Sequence, residues 1–215
     1  MVREILTDPN AFFQRRVDNP GLLVPTVIVL LAALVAAIGT TPKVEYTSQF
    51  ITGAAQAQGQ QINQSTADAI GTFSSVAGII FGFLGVLFAW VVYSVLFYAI
   101  ARLAFSGDGS LGDTFAFTGW GYIPLVISQI INAAAAYYVY SGATVPDTNQ
   151  AAQAALQELQ SDPVLFVGSV VGLTLLAWSG VIWTAAMRQL HSLTRRNAII
   201  TVGIPVGIAF LIRAS

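Results

Sequence analysis

Residues with catalytic side chains are few in this chain, and their spacing matches no common active site. Ser179 precedes the one histidine, His191, by 12 positions. That separation is about 18 Å along a continuous helix, which is too far for the hydrogen bond that a serine nucleophile needs. The chain has no cysteine, one histidine and no carboxylate inside any apolar run, which excludes a thiolate metal site and disfavours other metal sites. We therefore expect no catalytic residue, no cofactor and no metal, and a protein that is not an enzyme.

One glycine-rich stretch has the spacing of a dinucleotide-binding loop, with glycines at Gly107, Gly109 and Gly112. Such a loop needs a β-strand before it and an acidic residue about 20 positions after it. Here an apolar run precedes the stretch, and no acidic residue follows at that distance. We interpret it as a tight turn between two apolar runs, with Asp113 capping the helix that follows.

Five apolar runs must position these residues. Of the 215 residues, 55% are hydrophobic and only 9% are charged, and the mean hydropathy is +0.71. This composition excludes an ordinary soluble enzyme, and nine basic against ten acidic residues exclude a nucleic-acid partner. Because a membrane helix needs about 20 apolar residues, the sequence predicts an all-α polytopic membrane bundle of five transmembrane helices. The spans cover residues 22–39, 76–105, 115–140, 164–187 and 198–212.

Basic residues predict the orientation of the bundle. Seven of the nine lie on one side of the predicted membrane, and Lys43 and Arg213 lie on the other. The positive-inside rule then places the N-terminus in the cytoplasm and the C-terminus outside. We expect a multi-pass protein of the cell membrane, with a cytoplasmic amphipathic segment at 1–21 and one transmembrane domain at 22–215. The last run has only 15 residues, so a half-span is the alternative there.

The N-terminal segment predicts a short helix. Asp8 is a candidate N-cap, and Pro9 follows at the first helical position. Phe12 and Phe13 come next, beside Arg15. We expect this helix to lie on the cytoplasmic leaflet, with its aromatic rings directed into the bilayer.

Two Ala/Gln-rich segments, residues 53–63 and 149–160, favour helices outside the membrane. For the second, Asp147 or Thr148 is the candidate cap, and Asp162 with Pro163 opens the next span.

Small and polar residues within the spans suggest how helices contact one another. Three GxxxG pairs occur in the spans: Gly78/Gly82, Gly168/Gly172 and Gly203/Gly207. We interpret them first as faces that pack helices together within the bundle, and second as a surface for a homo-oligomer. Ser128, Gln129 and Asn132 lie at depth near Pro124, which should bend its helix. These three residues are the basis of an alternative function, a small membrane transporter or channel.

Five spans in this orientation resemble the Yip1 domain family. Local features carry the likeness: the opening residues 8–13, the glycine-rich turn, the stretch Gly121, Tyr122 and Pro124, and the last turn at residues 190–198. The resemblance implies a non-enzymatic integral membrane protein that acts as a scaffold or adaptor and organises partners or lipids. The site residues it implies, as family motif and packing positions, are Gly107, Gly109, Gly112, Gly121, Tyr122 and Pro124.

Three arginines near the last turn, Arg188, Arg195 and Arg196, could dock a cytoplasmic protein partner or lipid headgroups. Anionic lipids attract each such residue by about 1 kcal/mol. The alternative is that these arginines only set the orientation of the chain. The lipid bilayer itself is the one partner that the composition requires.

Overall fold

The computed structural model describes residues 2–60, 62–146 and 148–214, and within these ranges the chain forms helices and turns without a strand. The prediction of an all-α protein is confirmed. In chain order the helices are α1 (Val2–Thr7), α2 (Pro9–Gln14), α3 (Leu23–Ala57), α4 (Gln64–Phe105), α5 (Leu111–Trp120), α6 (Ile123–Tyr140), α7 (Asn149–Gln160), α8 (Pro163–Leu190) and α9 (Arg195–Ala214).

Five of these helices, α3, α4, α6, α8 and α9, are long and apolar enough to cross a membrane, which confirms the predicted number of spans. The candidate span in α9 has 19 residues, about 28 Å of helix, so it is not restricted to the 15 apolar residues of the sequence pattern. The helices α3 and α4 also run past their apolar stretches, to Ala57 and from Gln64.

The two Ala/Gln-rich segments differ in the structure. Residues 53–57 form the last turn and a half of α3, and the described residues from 58 to 63 are not helical, so the prediction of a separate helix there is wrong. The second segment forms α7 as predicted, and the Thr148 hydroxyl accepts a hydrogen bond from Ala151 N at 3.4 Å. Asp147, the other candidate cap, lies outside the described residues. The Asp162 carboxylate accepts from Val164 N at 2.7 Å and opens α8 as expected.

The third apolar run is interrupted beside Pro124, where the sequence predicted only a bend. Gly121 N and Tyr122 N donate to carbonyls three residues back, Thr118 O and Gly119 O, each at 3.1 Å. Pro124 has no N–H to donate to the carbonyl four residues before it, so the helical ladder stops there. As a result α5 ends at Trp120 and α6 begins at Ile123.

Contacts divide the chain into two compact units. Unit 1 consists of Met1–Ala32, Val86–Ser128 and Gly172–Ser215, and unit 2 consists of Ala33–Gly85 and Gln129–Val171. The core of unit 1 is rich in aromatic side chains that are fully buried, among them Phe12, Phe13, Phe97, Phe117 and Trp183.

Glycines allow α3 and α4 to approach closely within unit 2. A Cβ on Gly78 would lie 2.7 Å from Val44 Cγ2, and one on Gly82 would lie 3.1 Å from Ala37 Cα. This GxxxG pair is therefore a packing face inside the chain, as predicted. By contrast, a Cβ on Gly203 or on Gly207 would have no atom within 4 Å, so in α9 the pair does not mediate close packing between the described residues.

Candidate functional site

The aromatic side chains of the N-terminal helix α2 pack against protein. The Asp8 side chain accepts from Ala11 N at 3.1 Å, and Pro9 is the first helical residue, as the sequence predicted. The rings of Phe12 and Phe13 are fully buried in unit 1. The expected insertion of these rings into the bilayer is thus wrong, because the aromatic side chains of α5 offer them a protein surface.

Those contacts join α2 to α5. The Phe12 ring meets Trp120 edge-on at 4.9 Å between centroids, and Phe13 lies 4.9 Å from Phe117. The Arg16 guanidinium lies 3.8 Å from the centroid of the Phe12 ring and covers its outer face. An ion pair between Arg15 and Glu4 links α2 to α1.

The glycine-rich stretch forms a tight turn, residues 106–110, which we call the glycine turn. Ser106 takes a left-handed conformation with φ 54°, and Gly107 N donates to Ala101 O at 2.9 Å. Arg102 Nη1 donates to Gly107 O at 2.7 Å, which fixes the turn to the end of α4. The cap of α5 is Ser110, whose hydroxyl accepts from Asp113 N, and the Asp113 carboxylate accepts the Ser110 hydroxyl proton at 2.6 Å.

The glycine turn lies against His191, in the turn that joins α8 to α9. A Cβ on Gly107 would lie 2.8 Å from His191 Cβ, and one on Gly109 would lie 2.9 Å from its Nδ1. Both positions therefore require glycine because a side chain would collide with the imidazole. Two motifs that are about 80 residues apart in the sequence are in this way brought into contact, and His191 is only 1% exposed.

Burial and nearby charges determine the protonation of His191. Thr114 Oγ1 donates to Ser110 O at 2.7 Å and also lies within hydrogen-bond distance of His191 Nε2, at 3.0 Å. The Nδ1 atom is buried and has no hydrogen-bond partner. Burial lowers the pKa of His191 from 6.5 to about 4; the positive charge of Arg102 adds to this, while Asp108 and Asp113 act against it. The histidine is neutral at pH 7 and serves as a packed, hydrogen-bonded side chain.

The second predicted motif, Gly121, Tyr122 and Pro124, lies next to the indole ring of Trp183. A Cβ on Gly121 would lie 2.0 Å from Trp183 Nε1, and this nitrogen donates to Thr118 O at 2.7 Å. The buried ring of Tyr122 lies 5.9 Å from the Trp183 ring. Sequence reasoning missed Trp183, since a tryptophan inside an apolar run looks the same whether it faces lipid or a neighbouring helix.

The predicted docking arginines separate into two kinds. Arg188 and Arg195 line a groove between α8 and α9, whereas Arg196 is exposed and is not part of that lining. Among the described residues, no carboxylate forms a salt bridge with any of the three; Glu4 pairs with Arg15 instead.

The other candidate residues lie apart from these features. Ser179 donates to Leu175 O at 3.0 Å within its own helix, so its hydroxyl is not hydrogen-bonded to His191. Ser128 is buried, and Gln129 and Asn132 are half-buried. In the described part of the chain, no group of three or more histidine, aspartate or glutamate side chains could hold a metal ion.

Comparison with known proteins agrees with this geometry. The model of the family described as the Yip1 domain matches residues 3–214. An uncharacterized protein of Methanocaldococcus jannaschii is 28% identical over 137 residues, which are 63% of this chain and 88% of that protein. No solved structure matches the chain.

Proposed function

The chain belongs to the Yip1 domain family, and from this premise we propose that it is a membrane scaffold or adaptor that organises protein partners or lipids and is not an enzyme. The proposal rests on one observation: the polar residues of the predicted motifs contact one another and do not form a reactive site. His191, Thr114 and the glycine turn hold one another in contact. The exposed charged groups near them include Asp108 of the glycine turn and the three arginines Arg188, Arg195 and Arg196, which form no salt bridge among the described residues. Such an arrangement supports binding and offers no activated nucleophile.

The exposed arginines define what this surface would bind. Guanidinium groups form paired hydrogen bonds with carboxylates and phosphates. Arg195 and Arg196 lie in the first turn of α9, close in sequence to the turn that contacts the glycine turn. An acidic segment of a cytoplasmic protein or an anionic headgroup fits this surface, and we place the protein in the cell membrane with this surface in the cytoplasm.

Co-purification from native membranes in mild detergent tests the adaptor role. We expect a protein partner near a one-to-one ratio with the wild type and its loss from the double variant Arg195→Ala/Arg196→Ala. The matched control is Lys43→Ala, which removes an exposed basic residue on the side predicted to lie outside, and it should retain the partner. Recovery of the wild-type protein without any partner would contradict the adaptor role.

One observation favours the second candidate, a small transporter or channel. The apolar run that the sequence predicts as the third span is interrupted between α5 and α6, just before the candidate span Ile123–Tyr140, and discontinuous helices commonly form transport sites near the bilayer midplane. Ser128, Gln129 and Asn132 follow this break along α6. Under this alternative, liposomes containing the purified protein would show solute flux, and Asn132→Leu would reduce it.

A further inference from the structure

A groove of about 590 Å³ lies between α8 and α9, within unit 1, and its volume is in the range of ligand-binding sites. From Ala177 to Arg188 it covers 12 residues of α8, about 16 Å along the helix. Apart from Arg188, Arg195, Thr184 and Asn10, the residues that line the groove are apolar or glycine.

The groove is open because glycines line it where a side chain would fill it. A Cβ on Gly203 would meet no atom within 4 Å, and one on Gly180 would meet only Val206 Cγ1, at 3.5 Å. Val181 and Ile199 on its walls are 50% and 49% exposed. Both residues belong to helices that are long and apolar enough to cross a membrane.

The polar end of the groove is positive. Arg188 lies in the last turn of α8 and Arg195 begins α9, so the two guanidinium groups lie at the same end of the helix pair. Both arginines are exposed, and neither forms a salt bridge within the described chain. Asn10 adds an exposed amide to this end.

We propose that the groove binds an anionic phospholipid, with one acyl chain along the wall between α8 and α9 and the phosphate at Arg188 and Arg195. The charge requires an anion, and the apolar walls within spanning helices require hydrocarbon, which an acidic protein segment does not carry. Basic pockets between transmembrane helices bind anionic headgroups on the same physical basis. The inference deepens the lipid part of the proposed function and rests on it.

Lipid titration of the purified protein in mild detergent, read by native mass spectrometry, tests the headgroup. Phosphatidylglycerol should bind in preference to phosphatidylcholine with the same acyl chains, and glycerol phosphate alone should bind far more weakly. Because each arginine contributes about fivefold, Arg188→Gln/Arg195→Gln should weaken phosphatidylglycerol binding roughly 25-fold. Arg213→Gln is the matched control and should change it less than twofold, since Arg213 lies at the opposite end of α9 and does not line the groove.

A second pair of variants tests the groove itself. Gly203→Leu places a side chain in the open groove and should reduce phosphatidylglycerol binding about tenfold with both arginines intact. Gly207→Leu, which also has free space and lies outside the lining, should leave binding unchanged. Thermal unfolding of each variant verifies that it is folded.

Equal binding of both lipids would overturn the inference, and so would equal losses in Arg213→Gln and the double variant. If glycerol phosphate bound as tightly as the lipid, the site would be a simple anion site, and the inference would be overturned as well. A protein partner that still co-purifies when lipid selectivity is absent would show that only this inference fails and that the adaptor role stands.

Discussion

The indole ring of Trp183 lies where a side chain on residue 121 would be. This contact shows how a single residue constrains the packing of the helices. The indole nitrogen reaches the carbonyl of Thr118 because residue 121 has no side chain in its path. A buried indole N–H needs such a partner, since leaving it unpaired costs about 1 to 3 kcal/mol. The glycine is therefore required by its neighbour, and its own φ of −70° would suit any residue.

Gly121→Ala should lower the free energy of unfolding by about 3 kcal/mol, because the new methyl group overlaps the indole and displaces its hydrogen bond. Thermal unfolding in detergent measures this loss. Gly112→Ala is the control: its Cβ would meet only Ser110 Oγ, at 3.9 Å, on the exposed side of α5, so the unfolding temperature should stay level or rise. Equal effects of the two variants would show that Trp183 does not restrict position 121.

His191 makes the stability of the protein depend on pH. Its folded pKa of about 4 lies below the ordinary 6.5, so protonation opposes folding. The contribution is complete above pH 6.5 and is lost as the pH falls from 6.5 toward 4, with about 2 kcal/mol lost by pH 5. Compared with His191→Gln, which cannot titrate, the wild type should lose more stability between pH 7 and pH 5. Parallel pH profiles of the two proteins would refute this role.

At the scale of elements, α2 is held by the aromatic side chains of α5. Its six residues are too few for a stable isolated helix, so packing must maintain it. The Phe12 ring packs edge-on against Trp120, and the Arg16 guanidinium stacks on the outer face of the Phe12 ring.

Phe12→Ala should destabilise the protein by about 3 to 5 kcal/mol, the usual cost of removing a buried aromatic ring. It should also expose α2 to limited proteolysis, because the helix loses its main contact. Gln14→Ala, on the exposed side of the same helix, should behave as the wild type in both assays. Unchanged proteolysis of Phe12→Ala would show that α2 does not depend on α5.

The helix pair α3 and α4 provides a second test at this scale. Gly82→Val should lower the unfolding temperature, because a Cβ at this position would already lie 3.1 Å from Ala37 Cα and the branch must push the helices apart. Gly85→Val, where a Cβ meets nothing within 4 Å, should be close to neutral. A stable Gly82→Val protein would mean that the two helices do not pack through this face.

At the scale of the whole molecule, five helices that all cross the membrane would place the two termini on opposite sides of it. The distribution of basic residues predicts a cytoplasmic N-terminus. Because the chain has no cysteine, single cysteines can report the orientation without background.

We expect Gln153→Cys, on the exposed side of α7, to react with an impermeant maleimide in intact cells. Gln14→Cys on α2 should react only after the membrane is permeabilised, and both positions are exposed in the folded protein. A reporter fused after Ser215 should be external. If both termini report the same side, then α9 does not cross the membrane.

Much of the fold follows from local pattern. Long apolar runs predict spanning helices because an unpaired backbone group costs several kcal/mol in hydrocarbon. Caps such as Asp8 and Thr148 are equally local, since each satisfies a donor two or three residues away. The ends of helices in polar sequence are harder to predict, as residues 53–63 show. Their composition favours helix throughout, but α3 ends at Ala57, where the path of the chain changes.

The sequence by itself determined the class of this protein, because transfer of apolar side chains from water depends on composition and order along the chain. Only the tertiary structure decided which residues meet. The glycine turn and His191 are far apart in sequence, and so are Gly121 and Trp183, and nothing local to either partner encodes the other. The groove between α8 and α9 is also decided by the tertiary structure. A glycine in a helix leaves open space or allows close packing, depending on where the neighbouring helix lies.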